Sequence, residues 1–283
     1  MSERRDFVVD RSDFSNCRWV ARGPSPQAVE LQPGQILVAV ERFALTANNV
    51  SYAVAGESLG YWKYFPTPEP GGGIIPVFGY ATVVRSESDD VSVGERLYGY
   101  LPMATHLVMQ PEGVSGRGFL DQYEHRSELH PIYNTYARVG VEAGDPDRED
   151  LQPLLRPLFT TSFLLDDFLR HNDFFGGSRV ILLSASSKTA IALAFCLGHG
   201  EPSGVEVVGL TSEGNRAFVE GLGCYDRTLS YDEIGELDPE TPTVVVDMAG
   251  SGAVLAAVHR HFGKQLVHSS LVGKSHWQEE GPP

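Results

Sequence analysis

The sequence predicts an α/β protein: a β-rich first part, then a doubly wound parallel sheet. Short β-type runs broken by turns fill residues 1 to about 115. From Arg179 onward, continuous apolar runs alternate with helical stretches, the mark of βαβ units. The length of 283 residues, at about 150 residues per domain, corresponds to roughly two domains. The expected boundary places the β domain with its linker at 1–150 and the nucleotide-binding type of sheet at 151–283.

Gly34–Phe43 reads as a strand rich in β-branched residues, Pro76–Arg85 as a second, Val91–Tyr100 as a third, and Thr105–Met109 as a fourth. Two prolines and three consecutive glycines make Pro68–Gly73 a loop. Between about 110 and 150 the sequence turns polar, and Gly144–Asp150 reads as an acidic turn over a helix start. Two helical segments follow, Leu151–Pro157 and Thr160–Arg170. Val180–Leu183 is then a strand buried on both faces. After it come a helix at Lys188–Leu197, a strand at Val205–Leu210, a helix at Asn215–Leu222 and a short strand at Arg227–Leu229. A buried strand at Thr243–Asp247, a helix at Val254–His261 and a strand at Gln265–Ser269 close the alternation.

Composition limits the function classes. A formal net charge of −15 argues against a partner bound through phosphate neutralisation, such as nucleic acid or an anionic membrane. A hydrophobic content of 42% is too high for a disordered chain. Cys17, Cys196 and Cys224 form no CxxC pair, so neither a disulfide framework nor a zinc knuckle is expected. No apolar run approaches the ~20 residues of a membrane span, and Met1–Asp6 leads into polar sequence. The expected location is the cytoplasm.

In an open parallel sheet a phosphate favours the N-terminus of the first helix. That turn is Ser184-Ala185-Ser186-Ser187-Lys188-Thr189-Ala190, without the glycines of a dinucleotide fingerprint. Its hydroxyls and Lys188 suit a phosphate cradle, and the same residues also suit a Ser-rich cap on an ordinary crossover helix. The second strand ends at Thr211-Ser212, with Asn215 and Arg216 close behind and Glu213 between. Hydroxyl, amide and guanidinium groups favour a 2′-phosphate, hence NADPH over NADH; a Ser-capped surface helix is the alternative.

Specific strings resemble the medium-chain dehydrogenase/reductase superfamily, in particular its zinc-free quinone-oxidoreductase and enoyl-reductase branch. Gly34–Val38 resembles its opening GEVLV strand, Pro76–Gly79 its P-x-x-G segment, and Val93–Gly99 its VGDRV-x-G segment. Thr160–Ser162 sits where the superfamily's Thr-Ala helix start lies, and Leu222–Asp226 with Tyr231–Glu233 resembles its LGAD…NY stretch. Phe43–Asn49, Gly99–Leu107 and Ser184–Ala190 are similar to an uncharacterised sub-family on that scaffold.

The resemblance implies a GroES-like β domain followed by a Rossmann-type domain. It also implies that Tyr231 packs at the adenosine end of NADP. Met248, Ala249, Ser269 and Ser270 fall at positions flanking the nicotinamide ribose. No cysteine lies at Ala44–Thr46, where the alcohol dehydrogenases hold catalytic zinc, and the structural-zinc cluster is absent, so no metal is expected. The chain stops at Pro283, soon after the fifth strand of the second part. The expectation is therefore a Rossmann-type domain lacking its final strand, its return segment and the edge that usually pairs subunits. A homodimer stays open.

In the zinc-free branch a proton donor, where present, lies on the loop after the first long strand. Here that loop offers Tyr52 or Tyr61 as donor, with Asn49 orienting the substrate. Tyr61, Trp62, Tyr64 and Phe65 equally read as an apolar wall; either way a flat or apolar small molecule suits them. His106 reads rather as a core or surface residue, and Asp247 as a strand-end carboxylate that faces the cofactor or caps the next helix. The leading expectation is a zinc-independent, NADPH-dependent oxidoreductase acting on an activated double bond or quinone-like acceptor. The alternatives are a catalytically idle nucleotide-binding or scaffold protein, and a reductase working only within a larger biosynthetic assembly.

Overall fold

The chain begins with a hairpin, β1 (Arg5–Asp10) and β2 (Asp13–Ala21), turned at Arg11-Ser12, where the Ser12 amide and hydroxyl both donate to Asp10 Oδ1. The computed structural model describes residues 3–140, 146–199, 204–248 and 250–273. Gly144 and Asp145 of the acidic turn, and Ala249, lie outside the described residues. The chain divides into two units, Met1–Leu154 and Leu155–Pro283.

In the first unit the elements continue as β3 (Ile36–Phe43), α1 (Ala47–Val54), β4 (Gly72–Gly73), β5 (Pro76–Ser86), β6 (Arg96–Pro102), β7 (His106–Met109), β8 (Pro111–Ser115), β9 (Gly118–Asp121) and β10 (Thr135–Arg138). They form an antiparallel sheet in the order β7-β3-β5-β6-β10-β9-β8 and a small sheet β2-β1-β4. The polar stretch after residue 110 thus holds three strands, not connections alone. β8 and β9 are short and β8 is largely exposed, so neither shows an apolar alternation. Gly118, at φ +149, marks the close approach: a Cβ there would overlap the Tyr136 carbonyl.

The two helices expected between 151 and 170 are one, α2 (Pro146–His171). Pro153 removes the amide that would serve the Glu149 carbonyl. The hydroxyl of Tyr80, from β5, lies 3.1 Å from that carbonyl and 2.5 Å from Oε1 of Gln152, sharing its one proton between them, and stands in part for the missing amide. One turn on, the Thr160 and Thr161 hydroxyls add bonds to the carbonyls of Arg156 and Pro157 at 2.8 and 3.1 Å. Thr160–Ser162, expected to open a helix, lies inside this one.

The second unit continues with β11 (Arg179–Leu183), α3 (Lys188–His199), β12 (Glu206–Thr211), α4 (Glu213–Leu222), β13 (Arg227–Ser230), β14 (Thr243–Asp247), α5 (Gly252–Phe262) and β15 (Leu266–Leu271). All five strands are parallel, in the order β13-β12-β11-β14-β15. β11 has no exposed face. Val180 and Leu182 pack with Leu193 and Leu197 of α3, whereas Ile181 and Leu183 pack with Leu255, Val258 and Phe262 of α5. This two-sided burial is why the strand reads as a continuous apolar run. Before β11, Asp173, Phe174 and Phe175 hold left-handed backbone at φ near +50, a costly turn held by the buried Phe174 ring and by Phe175 stacked on His268 at 3.9 Å. The architecture is a GroES-like β unit followed by a Rossmann-type unit. Among the described residues no helix is long and apolar enough to cross a membrane.

Tyr80→Phe strands the Glu149 carbonyl and should cost about 1–2 kcal/mol of stability in urea denaturation. Adding Pro153→Ala restores the amide and should recover most of that loss. An undiminished loss in the double variant would show that Tyr80 acts through something other than this carbonyl.

Candidate functional site

The strand order of the parallel sheet reverses direction at β11, between β12 and β14, so the crevice for a ligand lies over the carboxyl ends of these strands. The chain leaves Leu183 through Ser184, whose φ of +55 is the left-handed conformation that glycine adopts cheaply. A serine therefore carries the first sharp bend of the turn. Its hydroxyl lies 3.4 Å from that of Tyr231. The amide of Ala185 donates to the Leu210 carbonyl at 3.0 Å, and its carbonyl accepts from the Tyr225 hydroxyl at 2.8 Å, pinning the turn to the second strand. Ser187 caps α3, its hydroxyl accepting from the Ala190 amide at 3.3 Å. The amides of Lys188 and Thr189 have no carbonyl within the helix, and the Lys188 side chain is exposed. Behind the turn, the buried Ser162 hydroxyl of α2 contacts the Thr189 carbonyl at 2.8 Å.

Residues expected from the second strand converge on the same turn. Asn215 donates to the Ser186 hydroxyl at 3.1 Å. Ser212 precedes α4 with no side-chain capping bond. Thr211 is 1% exposed, and its hydroxyl has no hydrogen-bond partner among the described residues. A buried, unserved hydroxyl is costly unless something completes it. Ser184 with Tyr231, and Ser186 with Asn215, thus form two contact pairs on this turn, with Thr211 one residue beyond the Leu183–Leu210 pair.

Arg216 stands differently from its expected role. Both Glu233 carboxylate oxygens lie 2.8 Å from its Nη1, and Glu220 accepts from its Nε at 2.9 Å. These carboxylates, Glu220 first, raise its pKa. Glu233 is itself held by the Ser230 amide at 2.9 Å, which with Arg216 keeps its carboxyl below the usual range. The guanidinium is clamped rather than waiting for an anion. Met248 also differs: its side chain is buried in the core beside α3, so only its backbone is left for a ligand. Ser269 and Ser270 pair with His259 and His268 at 3.2 and 2.9 Å. Asp247 accepts from the Gly250 amide at 3.0 Å, capping the turn after β14. Among the described residues no three His, Cys, Asp or Glu side chains gather to share a metal ion.

The first unit brings Tyr52 and Tyr61 together, ring centroids 4.9 Å apart. Around them sit Tyr64, Tyr100 and Tyr133, with the Tyr61 and Tyr133 hydroxyls 3.2 Å apart. Burial raises the phenol pKa values of Tyr52, Tyr100 and Tyr133, and pushes Tyr64 up to about 12. Such phenols stay protonated near neutrality and can donate, but cannot serve as bases. Tyr100 is fully buried and its hydroxyl has no partner among the described residues. Asn49, expected to orient a substrate, has its side chain engaged within the fold. Its Oδ1 accepts from the Thr46 amide at 2.6 Å and its Nδ2 donates to the Pro76 carbonyl at 2.9 Å, so it caps α1 and ties it to β5. Tyr133 and Glu233 are the residues that sequence spacing missed as parts of these clusters; neither carries a local motif for its contact.

Ser184→Gly should leave stability within about 0.5 kcal/mol, because relief of the left-handed strain offsets the added chain entropy. Ser184→Val should cost about 2 kcal/mol, since a β-branched residue fits that conformation worst. Urea midpoints of the two variants check this; equal losses would place the cost in the lost hydroxyl instead.

Solved structures of similar fold include CurA from Vibrio vulnificus in complex with NADPH, at TM-score 0.64 and 14% identity, covering 99% of this chain and 76% of that one. Mycobacterial Rv1454c complexed with NADPH matches at TM-score 0.56 and 16% identity, covering 99% and 76%. A quinone oxidoreductase of Pseudomonas syringae pv. Tomato DC3000 matches at TM-score 0.55 and 13% identity, covering 97% and 82%. No curated protein matches the chain in sequence. The family model described as "Protein of unknown function (DUF2855)" matches residues 43–282. The sub-family strings, the paired GroES-like and Rossmann-type units and this match agree: the chain belongs to the DUF2855 family and shares the fold of these solved structures.

Proposed function

We propose that the chain is an NADPH-dependent oxidoreductase that reduces an activated double bond or quinone-like acceptor without a catalytic metal. The observation that carries the reading is the buried, unserved Thr211 hydroxyl at the carboxyl end of the parallel sheet, beside the Ser184–Tyr231 and Ser186–Asn215 contacts. The donor set fits a dinucleotide: hydroxyls of Ser184, Ser186 and Thr189, amides at the start of α3 and the charge of Lys188 for phosphate oxygens, and Ser212 and Asn215 at the ribose end. Met248, its side chain turned into the core, would offer main chain toward the nicotinamide end. Bound NADPH supplies a hydride. Tyr52 or Tyr61 gives a hydrogen bond, and then a proton, to the oxygen on which charge develops. The surrounding rings exclude water and suit a flat, apolar acceptor.

A 2′-phosphate at Arg216 has to displace Glu233, an exchange of one anion for another. The clamp is half exposed, where such pairs hold weakly. That same clamp, with Asn49 spent on a helix cap, favours a second reading: a nucleotide-binding protein that does no chemistry.

Titration with NADPH, followed by nicotinamide fluorescence, is expected to saturate, with weaker binding of NADH. Arg216→Ala should weaken NADPH about tenfold more than NADH. Glu233→Gln should tighten NADPH selectively by releasing the guanidinium. Absence of binding at millimolar cofactor overturns the proposal, and equal affinities overturn the 2′-phosphate assignment.

NADPH oxidation across enals, enones and quinones separates an enzyme from an idle binder. In the active case Tyr61→Phe or Tyr52→Phe should lower kcat by about 10²–10⁴ with cofactor affinity unchanged. An unaltered kcat in both variants would leave the cluster as a wall.

A further inference from the structure

The first unit contains a cavity of about 100 Å³ whose wall is cationic in a chain of net charge −15. Arg4, Arg22 and Arg126 line it together with His106 and His125, and Asp6 is the one carboxylate among the lining residues. Asp6 is committed: its Oδ2 lies 2.5 Å from Nη1 of Arg22, whose guanidinium also donates to the Pro66 carbonyl at 3.1 Å.

Arg126 is 1% exposed. It is paired with the buried Asp121 behind the wall, donates from Nη2 to the Val108 carbonyl at 2.9 Å, and lies over the rings of Tyr123 and Phe65 at 5.2 and 5.5 Å. Its Nε has no acceptor among the described residues, and neither has the buried Nε of Arg4. Two guanidinium N–H donors are therefore withdrawn from water with nothing to receive them. That is a costly arrangement unless an anion completes it.

The histidines add a further donor each only when protonated. His125 Nε2 lies 3.1 Å from the Tyr64 carbonyl, which fixes the proton on that nitrogen, and His106 Nδ1 lies 2.9 Å from the Thr105 hydroxyl. A water-sized group needs about 10–15 Å³ of cavity, so this one of about 100 Å³ has room for an anion of up to roughly seven to ten non-hydrogen atoms.

We propose that this cavity is a binding site for a small oxyanion, a phosphate or a short carboxylate, held by Arg4, Arg22 and Arg126. Nothing in it depends on the nucleotide reading of the second unit, since every lining residue belongs to the first.

The site is built to respond to pH. Burial and then Arg4 lower the pKa of His106; burial and then Arg126 lower that of His125, with Arg22 acting in the same direction and Asp121 against it. An anion among these groups opposes the cations and raises both imidazole pKa values. By linkage the anion then binds more tightly as pH falls through their titration, and loses that part of its affinity as pH rises.

The test is calorimetric titration of the full chain with inorganic phosphate and, separately, with malonate, against chloride at matched ionic strength. Saturable binding of either anion is expected, tighter at pH 6 than at pH 8, and weakened about tenfold in Arg4→Gln. The anion that saturates identifies the source chemistry, and saturation by both marks a general oxyanion site. Imidazole proton resonances of His106 and His125 in the unaltered protein should titrate at higher pH with the anion present, which decides the matter even if the variant fails to fold. No saturation by either anion with unmoved histidine titrations, or equal binding by a folded Arg4→Gln variant, overturns the proposal.

Discussion

The second unit is organised by one constraint: β11 is buried on both faces and flanked by parallel neighbours on both sides. A strand with no exposed face cannot fray into a long loop, because its last apolar residue, Leu183, is still inside the core. The chain has to turn at once and start a helix that covers Val180 and Leu182. That demand falls on Ser184, which adopts left-handed backbone to meet it. The helix N-terminus, its unserved amides and the hydroxyls of the turn are consequences of this reversal. Binding capacity at the carboxyl end of the sheet thus follows from how the core is closed.

The same turn shows how side chains replace glycines. A glycine-rich loop leaves bare backbone for a phosphate to approach; here Ser186 is engaged by Asn215 and Ser184 by Tyr231. The loop is tied to α4 and to the residue after β13 through its hydroxyls, and the Tyr225 contact to the Ala185 carbonyl adds a third tether. Rigidity bought in this way leaves fewer free donors than a glycine loop would, which makes the unserved Thr211 hydroxyl the informative exception.

Much of the second unit was legible because buried parallel strands write themselves as apolar runs: Val180–Leu183 and Thr243–Asp247 are found where expected. The first unit was read less completely. β2 is almost wholly exposed and β8 nearly so, and strands without a buried face have no alternation to detect. α2 splits on paper after Pro157, where a proline reads as a helix end, although the folded helix runs on through it from Pro146 to His171. The candidate sites followed the same rule. Strand ends and helix starts locate Ser184, Ser186, Thr211, Asn215 and Tyr231 in the sequence at the carboxyl end of the sheet, where the structure has them. Asn49 was misread because an amide that caps its own helix looks in sequence like an amide available to a ligand. Tyr133 and Glu233 enter through contacts that only the folded chain creates.

Charge placement links the two units' chemistry without requiring any contact between them. With acidic residues in such excess, most arginines are already answered: Arg216 by Glu220 and Glu233, Arg96 by Glu41 and Glu149, Arg179 by Glu206. An arginine that meets two carboxylates is a structural cation, and an incoming phosphate must compete for it. Arg4 is a different case, because burial and then the field of Arg22 lower its pKa against the opposing Asp6, and its Nε is buried without an acceptor among the described residues. In an acidic protein the discriminating question about a cation is therefore its pairing rather than its presence. By that measure the nucleotide end of the second unit rests on hydroxyls and amides, and the demand for an anion is strongest in the β unit's cavity.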